Sequence, residues 1–271
     1  VSLASHDTVT LASRRAHWGG AGSDGGGALL DPRRIFSIHL LVIAGFALGN
    51  VPIAVMDGMG RHKLFGYSRL MRLEEEANLP SVFSALAIAA CAVVAHAIGS
   101  RLSRQDPDRA AWSLLAWVFA FLALDEAAMI HELANRVGVG AARVGPVTYL
   151  GVFIYVPVLA WLAVRLFAFW LRQEPPLRLA LLLGGVIYVT GAIGLELVEN
   201  ELRILGWDNE DLPMRISFIA EECGEMIGVA VLLRAFLGRF GRLGGGPLVS
   251  LAVPDTRDGS PVQNVAVSVR P

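Results

Sequence analysis

Three acidic stretches interrupt otherwise apolar sequence: Leu124-Asp125-Glu126-Ala-Ala-Met-Ile-His131-Glu132, Glu196-Leu-Val-Glu199-Asn200 and Glu221-Glu222-Cys223-Gly-Glu225-Met226. Their chemistry is that of oxygen donors with one imidazole and one thiol nearby. Carboxylates gathered at one place repel unless protons or a cation neutralise them, so a hard or borderline metal ion is a natural occupant. On helices, Asp125 and Glu132 lie seven residues apart and nearly eclipse, with Glu126 and His131 to either flank. Glu196, Glu199 and Asn200 share a face. Glu225 follows Glu221 and Glu222 by four and three residues, so one helix presents three carboxylates as a fan. The candidate metal ligands are therefore Asp125, His131, Glu132, Glu196, Glu199, Glu222 and Glu225, and the imidazole brings zinc, manganese or iron within reach.

Composition decides what carries these residues. The 271-residue chain is 54% hydrophobic and 17% charged, with a mean hydropathy of +0.54. That points to an integral membrane protein. The formal net charge is −1, and no basic stripe runs along any helix, which speaks against nucleic acid. Six segments reach the length a helix needs to cross a hydrocarbon core, at about 35–56, 80–100, 110–131, 147–171, 177–200 and 214–237. The expected fold is an all-α polytopic bundle of about six transmembrane helices over residues 33–240. Residues 1–32 are polar and Gly-rich, lack a signal-peptide pattern and, with the Gly/Pro-rich tail 241–271, are expected to be disordered.

Within this frame, Gly45-xxx-Gly49 reads as a packing motif. The alternation across Leu64–Leu73 suits a short interfacial helix, and Glu74, Glu75 and Glu76 read as a solvated acidic face. Asn78 and Pro80 mark a helix start. Cys91 reads as a small packing residue; Cys223 stands among glutamates, and both thiols are expected to be reduced.

Arginine placement sets the orientation. Counting Arg14, Arg15, Arg33, Arg34, Arg101, Arg104, Arg109, Arg172, Arg178, Arg239 and Arg242 on one side against Arg61, Lys63, Arg69, Arg72, Arg136, Arg143, Arg203 and Arg215 on the other favours N-in, C-in. All three acidic stretches then fall toward the extracytoplasmic side. Arginine-rich, nearly lysine-free usage fits a bacterial cytoplasmic (inner) membrane. An acid at the centre of a membrane helix costs about 2.5–3.5 kcal/mol. The acidic faces are therefore expected to converge away from lipid.

At these residues the chain resembles a family of uncharacterised bacterial multi-pass membrane proteins. The likeness rests on Glu76-Ala-Asn78-Leu-Pro80-Ser-Val-Phe83-Ser84, the Leu124–Glu132 stretch and Glu221-Glu-Cys-Gly-Glu-Met-Ile-Gly228, over roughly residues 35–238. It implies the architecture and no reaction. Glu76-x-Asn78 with Ser81 or Ser84, and Leu124-Asp125-Glu126, are also similar to motifs of the alkaline ceramidase and adiponectin-receptor superfamily. That likeness implies an intramembrane metal hydrolase. This chain departs from it in having six expected spans, and Glu222 and Glu225 where a histidine pair is expected.

The chain contains no His-Glu-x-x-His, nucleophile elbow, P-loop or dinucleotide fingerprint, and no Glu-x-x-His pair within a span. The function expected is metal-dependent, hydrolase-like chemistry in the membrane on an amphiphilic, lipid-derived or other small substrate. A proton- or cation-coupled transporter or channel and a structural membrane subunit are the alternatives.

Overall fold

The computed structural model describes residues 31–60, 66–75, 77–130 and 150–244. These form eight helices: α1 (Pro32–Gly58), α2 (Tyr67–Met71), α3 (Leu79–Arg101), α4 (Arg109–Ala128), α5 (Leu150–Arg172), α6 (Pro175–Val189), α7 (Glu196–Ile204) and α8 (Leu212–Arg242). A π-helical turn, Thr190–Leu195, joins α6 to α7. No strand occurs among the described residues.

Helix starts follow local chemistry. Asp31 caps α1, accepting from the Arg33 amide at 2.9 Å, with Pro32 in the first turn. Asn78 and Ser81 form a reciprocal capping box at α3, and prolines open α6 and α8. Among the described residues of the interfacial segment, Tyr67–Met71 is helical and Arg72–Glu75 is not.

Among the described residues, five elements are long and apolar enough to cross a membrane: α1, α3, α4, α5 and the continuous α6–π–α7 rod from Pro175 to Ile204. They leave Leu41, Leu48, Trp117 and Val164 at least 70% exposed, which suits contact with lipid. The expected sixth span, 214–237, lies within α8. That helix is 31 residues long but is set apart from the other five by its glutamates and arginines. It packs instead at the centre, against α1, α3, α6, the π turn and α7.

Two apolar clusters hold the bundle together. The larger joins α3, α4, α5 and α8 through an aromatic ladder: Trp112 meets Phe169 and Phe236 edge-on at 5.5 and 5.2 Å, and Phe119 meets Phe236 at 5.5 Å. The smaller seats α8 on α1 through Ile43, Phe46, Leu73 and Met226. Cys91 packs in the larger cluster and Cys223 beside the smaller, both unpaired.

Polar contacts tie the helix ends at one pole. Arg172 and Gln173, where α5 ends, reach Asp108 at the start of α4, at 2.7 and 2.8 Å. Arg239 and Arg242, near the end of α8, face Glu174 at the start of α6, at 4.0 and 3.7 Å. The acidic stretches lie at the opposite pole, where α4 and α7 end and α8 begins.

Small-residue packing falls elsewhere than expected. A side chain at Gly45 would meet nothing within 4 Å, and Gly49 faces Tyr67, whose hydroxyl donates to the Gly49 carbonyl at 3.0 Å. Close backbone approach occurs between α6 and α8. A Cβ on Gly228 would lie 2.7 Å from the Tyr188 amide nitrogen and 2.8 Å from the Gly184 carbonyl, and one on Gly191 would lie 2.9 Å from the Glu221 carbonyl. Gly228→Val is therefore expected to destabilise the bundle by about 1–3 kcal/mol through overpacking. Gly45→Ala should leave the thermal midpoint of the detergent-solubilised protein unchanged. Melting both variants beside wild type checks the contrast.

Candidate functional site

The acid-rich pole is assembled by α4, the π turn, α7 and α8. Helix α4 ends at Ala128, with Met129 in the left-handed region at φ 55°. This stop leaves Asp125 in the last turn, buried, and Glu126 half-buried beside it. Glycines 191 and 194 lie in the π turn that leads into α7, a geometry that alters helical phase and often sits at functional sites. In α7, Glu199 and Asn200 are buried, only 3% and 6% exposed, with Glu196 half-buried.

On α8, Glu221, Glu222 and Glu225 are half-buried. The close glycine contacts with α6 and the π turn bring the Glu225 side chain against Gly191. They also hold Tyr188 one turn from it.

Around Tyr188 the helices converge. Its hydroxyl feels the charges of Glu225 and Glu222 from α8 and of Glu126 and Asp125 from α4. Tyr155 of α5 lies in the field of Asp125 and Glu196. Glu199 and Glu221 face one another at hydrogen-bonding range across α7 and α8, with Ser217 beside them. Two carboxyls so placed need a proton or a cation between them. Arg203 stands on the outer flank, 3.6 Å from the second Glu199 oxygen.

Of the seven candidate ligands, Asp125, Glu196, Glu199, Glu222 and Glu225 thus lie on elements that meet around Tyr188 and Tyr155. His131 and Glu132 lie outside the described residues. Among the described residues, no three His, Cys, Asp or Glu side chains are set as ligands around one metal ion.

A second polar assembly was not legible in the sequence. Asp57, near the end of α1, accepts from Arg72 at 3.0 and 3.2 Å and pairs with Arg215 of α8 at 2.7 Å. Glu74 bonds Arg72 at 2.9 Å and also bonds Arg215. The side chains of Asp57, Arg72 and Arg215 are 1%, 8% and 6% exposed. Arg72 and Arg215 are therefore buried network members and not solvated flanking charges. Glu74, read above as part of a solvated face, is a half-buried partner of both; Glu75 is half exposed, and Glu76 lies outside the described residues. Asn50 completes the clamp, donating to the Met71 carbonyl at 2.8 Å and accepting from the Leu73 amide at 3.1 Å. The available signal was an asparagine inside the first apolar span and an aspartate just past its end.

Fold and site together define a polytopic all-α membrane protein with an acid-rich pole built around a buried, charged central helix. The chain belongs to the family described as Domain of unknown function (DUF8692), whose profile matches residues 35–240. None of the curated proteins and none of the solved structures compared with it matches the chain, so the likeness to the ceramidase and adiponectin-receptor superfamily finds no support.

Removing one partner from a buried ion network leaves an uncompensated charge, which typically costs about 3–5 kcal/mol. Asp57→Ala, which leaves Arg72 facing Arg215, is expected to fall in that range. Asp57→Ala combined with Arg215→Met should recover part of the loss. Thermal or denaturant unfolding of the three proteins in one detergent measures the coupling.

Proposed function

We propose that this protein is a membrane-embedded, metal-dependent enzyme of hydrolase type, whose acidic pole binds a divalent cation and presents it to an amphiphilic, lipid-derived substrate. The observation that carries this reading is the convergence of acids from α4, α7 and α8 around Tyr188 and Tyr155. Carboxylates brought together from three helices are the donor set that hard cations take.

The donor chemistry fits a cation. Among the described residues it is oxygen-rich, which suits a hard ion such as manganese; His131, three residues past Ala128 at the end of α4, would widen the choice to zinc or iron. Asp125, Glu222 and Glu225, whose charges act on Tyr188, would have to move together to hold it, since among the described residues no three such side chains are set around one ion. When bound, such an ion supplies Lewis-acid activation of water. The protein's own part is to gather the acids, to hold a proton between Glu199 and Glu221, and to offer the Tyr188 hydroxyl as a hydrogen-bond donor. By the positive-inside rule the arginine-rich pole faces the cytoplasm, which places both termini inside a bacterial cytoplasmic membrane and the acidic pole outside.

Wild-type protein purified from metal-replete cells is expected to retain about one divalent metal ion per chain. The Glu222→Gln/Glu225→Gln variant should lose the ion and keep its helical circular dichroism. A folded wild type with no bound metal overturns the reading.

A second reading, proton- or cation-coupled transport, is favoured by the Glu199–Glu221 pair, because two carboxyls sharing one proton form a loading site of the kind pumps use. It predicts ion flux in proteoliposomes that Glu199→Gln abolishes. Metal retention without such flux sustains the enzyme reading.

A further inference from the structure

Away from the acidic pole, α1 and α3 do not pack directly on one another over most of their length; each packs on α8. The gap is a groove of about 310 Å³ with an almost wholly apolar lining, floored by Leu233 and Leu237 of α8 and walled by Ile35 of α1 and Ala87, Ala90 and Val94 of α3. Both walls belong to candidate membrane spans, so hydrocarbon is the medium that faces it. From Phe83 to Val94 the α3 wall runs about 16 Å at the helical rise. Phe83 marks the end toward the acidic pole, its ring against His39 and Phe46 at 5.2 and 5.6 Å.

The other end carries cations. Ala87, Val94 and Arg101 repeat every seven residues on one face of α3, so the groove wall leads straight to an exposed arginine, whose guanidinium lies 3.8 Å above the Phe240 ring. Arg234, also exposed, follows Leu233 on α8 and reaches over Phe36 of α1 at 5.0 Å. Arg33 and Arg34 are exposed in the first turn of α1. Asp31 is the acid in ion-pair contact there, 3.8 Å from Arg34. An apolar slot between membrane helices whose α3 wall and α8 floor each continue to an exposed arginine has the complementarity of an anionic phospholipid.

We propose that the α1/α3/α8 groove binds one anionic phospholipid, with an acyl chain along Ala87, Ala90 and Val94 and the headgroup phosphate on Arg101 and Arg234. The site does not depend on what the acidic pole does. It would tie α1 to α3 in the leaflet that holds the arginine-rich pole, two helices whose direct contact is sparse.

Native mass spectrometry of the full chain in a mild detergent tests it. The probes are phosphatidylglycerol and phosphatidylcholine of matched chain length. Wild type should retain one phosphatidylglycerol per chain, with a preference of about 30-fold over phosphatidylcholine if each arginine contributes as surface cations do. Arg101→Gln/Arg234→Gln alters only exposed side chains; it should bind the two lipids about equally. Ala90→Phe fills the slot and should weaken retention of both. Circular dichroism and melting of each variant exclude misfolding as the cause. Equal retention of the two lipids by wild type overturns the proposal, as does phosphatidylglycerol retained in full by a folded Ala90→Phe protein.

Discussion

Charge in hydrocarbon is the constraint on which this structure turns. A single carboxylate at mid-membrane costs about 2.5–3.5 kcal/mol, and α8 carries Glu221, Glu222 and Glu225 together with Arg215. The helix is tolerable in a bilayer only if protein surrounds it. That is where it lies, packed by α1, α3, α6, the π turn and α7, with the more apolar helices left to meet lipid. The five elements that qualify as spans by composition are in this sense the solvent of the one that does not.

The two faces of α8 are managed differently. Toward α1, Arg215 is neutralised within the protein by Asp57 and Glu74, with Arg72 bridging the same two acids. A buried pair is weak evidence of net stability, but it makes the arrangement exacting, because no member can leave without stranding another. It also secures the loop before α3, which Asn50 pins to α1. Toward α6 and α7 acids predominate, with Arg203 3.6 Å from Glu199. Glycines at 184, 191 and 228 draw the backbones together, which forces Glu225 and Tyr188 into one neighbourhood and leaves Glu199 opposite Glu221. One face closes on itself as an ion network; the other gathers acids from several elements, and the proposed function lies there.

Polarity along the bundle axis gives the two ends distinct characters. Arginines cap the pole where α3, α5 and α8 end, and acids gather where α4 and α7 end and α8 starts. The arginine pole is held by ion pairs between helix ends, while the groove between α1 and α3 interrupts direct packing along one side. Stabilisation by lipid on that side and by a cation at the acidic pole would act at opposite ends of α8.

Much of the fold was legible in the chain because hydrophobic run length reports directly on what can cross a bilayer. The helical stretches, the Asn78 start and the acidic character of Asp125, Glu199 and Glu221 as membrane-buried groups follow from local sequence and the cost of desolvation. Pairing was not legible. Arg72, Glu74 and Arg215 read as ordinary flanking charges, since nothing local distinguishes a solvated arginine from one that meets an aspartate 15 residues earlier in the chain or a glutamate 141 residues away. Likewise the Gly45-xxx-Gly49 packing motif is used at Gly49 alone, against Tyr67 and Met71, while Gly184, Gly191 and Gly228 carry the close approach of backbones. A motif states that backbones could approach, and only the tertiary arrangement decides which ones do. The sequence by itself determined that this is a helical membrane protein with acids too costly to leave in lipid. The tertiary structure decided which charges cancel, because cancellation depends on distances between residues far apart in the chain.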